Sequence, residues 1–251
     1  MSSSAAMPAT AIRVAVFSDV HGNSAALVAV LADTAGRKVD LLFSLGDLVG
    51  YGPDPNGVIE IVRGRIIPSL AGNYDDGVGF DRGDCGCYYA DAEARRIGDA
   101  SYDFTARAVT DENKAWLRGL PRERRLEIAG HRLHLVHGSP RRINEYLAAD
   151  RDERTYHRLA LREQADLLVF GHTHVPWERS FGRVHFVNVG SAGRPKDGDS
   201  RAMYALIELA EGSVARRIEF IRVPYNIETT ARAVLAAGLP PELAQSFREG
   251  R

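Results

Sequence analysis

Seven side chains in the 251-residue sequence are of types that ligate transition metals, and they recur in short glycine-marked phrases. Asp19 and His21 stand in Ser18-Asp19-Val20-His21-Gly22-Asn23, and Asp47 in Gly46-Asp47. Asn73 falls in Gly72-Asn73-Tyr74-Asp75, His137 in His137-Gly138, and His172 and His174 in Gly171-His172-Thr173-His174. Singly, each phrase has a plain structural reading. Asp47 and Asn73 are of types that favour turns, and a lone His137 can be a satisfied core histidine. All five in order, each at the end of an apolar run, point to a metal centre. Four imidazoles, two carboxylates and one carboxamide exceed the three or four protein ligands of a single zinc. Two ions bridged by one carboxylate accommodate them, and mixed nitrogen and oxygen ligation suits Mn, Fe, Co, Ni or Zn. No thiolate belongs to the set, which excludes an iron–sulfur or cysteine-rich site. Ions paired roughly 3.5–4 Å apart perform in-line displacement at phosphorus.

The elements that must hold these residues follow from the apolar runs. Ile12 to Phe17, Leu41 to Leu45, Ile66 to Ala71, the run ending at Val136, and Leu167 to Phe170 read as strands. Pro68 sets the third apart from an ordinary central strand. Carboxyl ends of strands in α/β sheets are where ligands collect, and the glycines let backbone approach an ion closely. Ser24 is placed to cap a helix bearing Leu27, Val28 and Leu31. Asn56 to Arg65, Asp91 to Leu120, Asp152 to Gln164, and Tyr225 to Phe247 (broken at Pro240-Pro241) have helical patterns. Residues 76 to 90, rich in Gly and Asp, read as loop. Leu126, Ile128, Leu133 and Leu135 alternate about Gly130 as a hairpin. Val184 to Val189, Ala202 to Leu209 and Ser213 to Val223 complete the strands. Strand–helix units followed by a strand-rich half give a single α/β domain over residues 11–251, two packed sheets with helices outside.

These phrases resemble the calcineurin-like metallophosphoesterases, with the match spanning about residues 12–190. Gly46 to Pro53, His137-Gly138-Ser139-Pro140-Arg141, Asn188-Val189-Gly190-Ser191 and Arg194 to Asp199 look like the small bacterial and archaeal phosphodiesterase branch. The resemblance implies a four-layer α-β-β-α sandwich of two mixed β-sheets flanked by helices. It implies that Asp19, His21, Asp47 and His174 hold one divalent ion and that Asp47, Asn73, His137 and His172 hold the other. Manganese is the favoured metal, and a bridging hydroxide the implied nucleophile. The chain departs from the family at Tyr74, where many relatives carry a histidine thought to serve the leaving oxygen. A phenol with a pKa near 10 is a poor proton shuttle at neutral pH. Tyr74 is therefore expected to hydrogen-bond the leaving group or a nonbridging oxygen, while Asp75 either orients Tyr74 or caps the turn.

Other features carry two readings each. Arg141 either clamps a second phosphate or forms a surface salt bridge, and Tyr51 either stacks on the substrate or fills its loop. Cys85-Gly86-Cys87 lines or stiffens a cap segment at about 76–120, since two cysteines cannot complete a zinc shell. His131, His134, His157 and His185 lack motif context and read as surface or hairpin residues. With 32 basic and 33 acidic side chains and a net charge of −1, the chain offers no basic groove for long nucleic acid. No stretch approaches the roughly 20 apolar residues of a membrane span. Residues 1–10 read as a flexible tail rather than a signal peptide. Two cysteines suit a reducing compartment, so a cytoplasmic location is expected. The reading is a metal-dependent phosphodiesterase acting on a small nucleotide or organic phosphate. Phosphomonoesterase or protein phosphatase activity is the alternative within the fold, and a non-catalytic metal-binding scaffold the alternative outside enzymes.

Overall fold

A computed structural model describes residues 11–211 and 216–251. The tail expected over residues 1–10, and the first residues of the strand expected from Ser213, lie outside the described residues. Strand β1 (Ile12–Phe17) pairs in parallel with β2 (Leu41–Ser44) and antiparallel with β8 (Ala202–Leu209), which carries β9 (Arg216–Val223). The second sheet runs β3 (Glu123–Ile128), β4 (His131–Val136), β5 (Leu167–Phe170), β7 (Val184–Asn188), β6 (Trp177–Phe181). In it β4, β5 and β7 are parallel, and β3 and β6 pair antiparallel at the edges.

Period-two patterning explains the layering. On β1, Val14 and Val16 face the second sheet while Ala15 and Phe17 face helices. On β5, Leu167 and Val169 join that central core, and Leu168 and Phe170 pack beneath α6 (Glu153–Arg162) with Tyr156 and Leu159. Helices α1 (Ser24–Gly36), α2 (Pro55–Gly64), α7 (Ile227–Ala236) and α8 (Pro241–Glu249) cover the outer face of the first sheet. The result is two mixed sheets between helical layers, with β1, β2, β4 and β5 ending in the loops that carry most of the metal-type residues. Each side chain on a strand buried on both faces loses water, at about 25 cal/mol per Å2 of apolar surface.

Several elements differ from the sequence expectation. Ile66–Ala71 is not a strand. Only an isolated bridge joins Ser44 to Ser69, because Pro68 lacks an N–H and Ile66 stands at φ 53°. Part of the expected loop at 76–90 is helical: α3 (Asn73–Gly79) forms on Tyr74 and Val78, buried one turn apart. The long helix over 91–120 divides into α4 (Ala92–Ala108) and α5 (Asp111–Arg118), where the Thr110 hydroxyl caps the second by accepting from Asn113 N. Asn23, not Ser24, caps α1, its side chain accepting from Ala26 N at 3.1 Å. Strand β6 escapes the periodicity because its middle residues are exposed and polar. His134, read as a surface or hairpin residue, sits in the hairpin but is fully buried.

Candidate metal centre

The loops after β1 and β2 are laced together by backbone bonds from Asp19 N to Gly46 O, His21 N to Asp47 O and Gly22 N to Leu48 O, all 2.9 Å. Gly171 N donates to His137 O at 2.8 Å and Gly193 N to Asp19 O at 3.0 Å, which adds the loops from the other sheet. This convergence forces unusual backbone. Asp19, His21, Asp47, His172 and His174 all adopt φ between 50° and 65°. For residues other than glycine this region is sparsely populated and costs roughly 1 kcal/mol or more each. Gly72 is required by proximity: a Cβ there would lie 2.1 Å from both Asp47 N and Asp47 Oδ1.

Two groups of buried side chains result, Asp19 with His21 and His174, and Asp47 with His137 and His172. His21 Nδ1 lies 2.9 Å from Val49 O, and His174 Nδ1 2.6 Å from Arg194 O. A carbonyl only accepts, so each Nδ1 carries the hydrogen and each Nε2 presents a lone pair. Those two Nε2 atoms face each other at 3.1 Å, with Asp19 Oδ1 3.2 Å from His174 Nε2. In the second group His137 Nδ1 donates to Leu45 O, so its Nε2 is the atom that meets Asn73 Oδ1 at 3.0 Å and Asp47 Oδ2 at 3.4 Å. The Asn73 amide donates to Cys85 O, which turns its oxygen to the centre. Asp47 Oδ1 is engaged by Tyr74 N, leaving Oδ2 between His137 and His21, 3.7 Å from the latter.

Acceptors therefore face acceptors, and Asp19 Oδ1 and His172 Nε2 have no hydrogen-bond partner at all. Protons do not resolve the clash in the first group. Burial holds His21 down to about 3 against the pull of Asp47, and drives His172 and His174 well below the ordinary histidine value. His137 differs: burial opposes its charge, but Asp47 beside it raises it to about 9. In the first group, and at His172, buried lone pairs of imidazole and carboxylate converge without donors, an arrangement that divalent cations satisfy. His137 supplies the one donor of the second group, a proton that a bound cation would displace. Imidazoles fixed through Nδ1 to carbonyls are the orientation metal-ligating histidines use.

The remaining expected site residues fall differently. Tyr74 is fully buried, its hydroxyl 3.4 Å from Ser101 Oγ, and burial pushes the phenol well up. Asp75 accepts from Gly72 N, Leu48 N and Val49 N at 2.9, 3.0 and 3.3 Å, tying the Asp47 loop to the Asn73 turn and not contacting the Tyr74 hydroxyl. Burial, then the charge of Asp47, raises it to about 7. Tyr51 packs edge-on to His21 with ring centres 4.9 Å apart. Arg141 is exposed and paired with Glu145, Nε to Oε2 3.0 Å, the salt-bridge arrangement. Cys85 and Cys87 are joined by a disulfide rather than standing as thiols, and Cys87 Sγ lies 3.2 Å from the Asn73 amide nitrogen.

Three neighbours of the centre received no role from the sequence, although Arg194 and Lys196 lie in a tract that carries the family resemblance. The Tyr146 ring lies 4.2 Å from that of His172. The guanidinium of Arg194 lies 4.2 Å over the Tyr51 ring. Lys196 donates its N–H to His174 O, and its charge, with that of Arg194, depresses His174. The available signal was that Lys196 is one of only three lysines in the chain. Among the described residues no helix is long and apolar enough to cross a membrane.

Comparison with known proteins agrees with this geometry. Residues 12–212 match the calcineurin-like phosphoesterase superfamily domain. An uncharacterized protein of Methanocaldococcus jannaschii, MJ0912, is 30% identical over 256 residues, covering 95% of this chain and 98% of its own. The crystal structure of a metallophosphoesterase from Sphaerobacter thermophilus superposes with a TM-score of 0.77 at 33% identity, over 96% of this chain and 100% of that one. That of hypothetical protein PH1004 from Pyrococcus horikoshii gives 0.82 at 21% identity, over 96% and 99%, a likeness of fold.

Proposed function

Because the chain belongs to the calcineurin-like phosphoesterase superfamily, and is therefore a metal-dependent phosphoric ester hydrolase, we propose that it is a binuclear phosphodiesterase of small nucleotides or organic phosphates. The observation that carries this reading is the double cluster of acceptors sharing Asp47. Asp19, His21 and His174 would hold one ion, Asn73, His137 and His172 the other, and Asp47 Oδ2 would touch both. Such ions supply charge at the phosphoryl oxygens and a nucleophile at neutral pH.

The protein's own part is positioning. Val49 O, Leu45 O and Arg194 O fix the tautomers of His21, His137 and His174. Asp75 locks the backbone on either side of Asp47. Burial excludes water, so the field at the centre is weakly screened. A net charge of −1 supports a small anionic substrate over long nucleic acid. Manganese is the proposed metal.

The test is hydrolysis of bis-p-nitrophenyl phosphate by metal-free protein reloaded with manganese, beside p-nitrophenyl phosphate. Turnover favouring the diester supports the proposal. A preference for the monoester reassigns the activity, and two bound ions without turnover of either ester make the protein a scaffold.

A further inference from the structure

The chain's only two cysteines are bonded to each other across a single glycine, and that small ring is fastened to the second metal group. A carbonyl oxygen and a disulfide sulfur carry no hydrogen, so the Asn73 amide donates both of its own to the ring. One goes to Cys85 O at 3.0 Å and the other to Cys87 Sγ at 3.2 Å, which turns Asn73 Oδ1 to His137 Nε2. Asn144, in the loop that follows His137, donates to Gly86 O at 2.8 Å. Gly86 stands at φ 62°, and a Cβ there would lie 2.9 Å from the Asn144 amide nitrogen, so the residue between the cysteines must be glycine.

A disulfide that closes so short a loop removes little entropy from the unfolded chain. Its hold is therefore local, on Asn73 and Asn144. Cys87 is half-buried between the exposed Gly86 and Tyr88, whereas Cys85 is 5% exposed, so Cys87 Sγ is the sulfur an incoming thiol can reach. The Tyr89 hydroxyl, kept protonated by burial, donates toward Cys85 Sγ at 3.5 Å, the sulfur that would then leave. We propose that Cys85 and Cys87 form a reversible modification site for a dithiol reductant, whose disulfide form holds Asn73 as a ligand of the second ion and whose dithiol form releases it. A thiolate of the reductant attacks Cys87 Sγ, the Sγ–Sγ bond breaks, and its electron pair leaves on Cys85 Sγ. The second thiolate of the reductant displaces Cys87 from the mixed disulfide. Two electrons and two protons reach the cysteines, and the reductant becomes a disulfide. Glutathione disulfide runs the exchange backward and ends as two molecules of glutathione.

The inference rests on the two-ion reading, and its test separates the two. Metal-free protein is oxidised with glutathione disulfide or reduced with dithiothreitol, freed of reagent under nitrogen, and titrated with manganese by calorimetry, with paramagnetic resonance counting the bound ions. The oxidised form should bind the second ion at least tenfold tighter than the reduced form, and the first ion equally. Reduction should lower the melting temperature by less than about 5 °C. The double substitution Cys85→Ala, Cys87→Ala should bind manganese as the reduced wild type does and respond to neither reagent. Two ions held equally tightly in both forms, cysteines that still alkylate fully after glutathione disulfide, a larger melting shift, or a double variant that still responds overturns the switch. One ion alone in both forms overturns the two-ion reading, and the switch with it. A redox-dependent second ion without turnover of any ester overturns the diesterase reading and leaves the switch standing.

Discussion

Two regions of this protein bring buried imidazoles against carboxylates and do different things. His134 sits between Glu163 and Glu123, at 2.7 and 2.8 Å, and Glu163 also accepts from Arg125 at 2.9 Å and Ala165 N at 3.0 Å. The Glu163 carboxylate there is met by the Arg125 guanidinium and a backbone N–H. At the strand ends, by contrast, His21 Nε2 faces His174 Nε2, and His137 Nε2 faces Asn73 Oδ1 and Asp47 Oδ2. Composition does not separate an ion-pair network from a metal centre. The direction of the lone pairs does, and that direction is set by which ring nitrogen a backbone carbonyl has already claimed. Backbone strain differs too, since Asp19, His21, Asp47, His172 and His174 are five of the ten non-glycine residues with positive φ among the described residues, and His134, Glu163 and Glu123 are not.

The largest expected effect is at the atom common to both halves of the centre. Asp47→Asn should lower kcat/KM by at least about 10³-fold, because both groups lose the charge they share. Metal analysis of the purified variant should show fewer than two ions. Gly72→Ala tests the same carboxylate from the backbone side. Its Cβ would overlap Asp47, so an activity loss of about 100-fold with a destabilisation of about 1–3 kcal/mol is expected by steady-state assay and thermal melting.

Glu163→Gln probes the satisfied cluster and should reverse the balance of effects, costing stability and little kcat. Burial alone would raise Glu163, but the bonds from His134, Ala165 N–H and Arg125 hold it down to about 2, against an ordinary 4.5. A depressed carboxyl stabilises the fold fully above the unfolded value and loses that contribution as pH falls toward 2. The cost, about 2 kcal/mol at pH 7, should therefore shrink in denaturation experiments below pH 4.5. An unchanged cost at pH 3 would contradict the assignment. The smallest effect belongs to Tyr74→Phe, which removes one long contact to Ser101. A change of less than about threefold in kcat and under about 1 kcal/mol in stability is expected, and a large kcat loss would restore Tyr74 to the reaction.

The clustering of the ligand-type residues was legible in the sequence because each phrase follows an apolar run and contains a glycine, and four of the five runs are strands whose ends converge. The layering was legible for the same reason, since Val14, Val16, Leu167 and Val169 alternate strictly with residues facing the helices. Long-range side-chain placement was not. Tyr74 turns toward Ser101 and Arg194 toward Tyr51, partners distant in the chain whose approach no local pattern encodes. The strand expected at Ile66–Ala71 failed because Pro68 and the backbone at Ile66 deny it a ladder. Helix α3 was hidden by its glycines, although Asp75 closes its first turn by accepting from Gly72 N.

Anomalous X-ray diffraction from crystals of the manganese-loaded protein tests the central claim most directly. Two peaks are expected, one among Asp19, His21 and His174, the other among Asn73, His137 and His172, with Asp47 Oδ2 adjoining both. A single peak, or two that do not share Asp47, would contradict it.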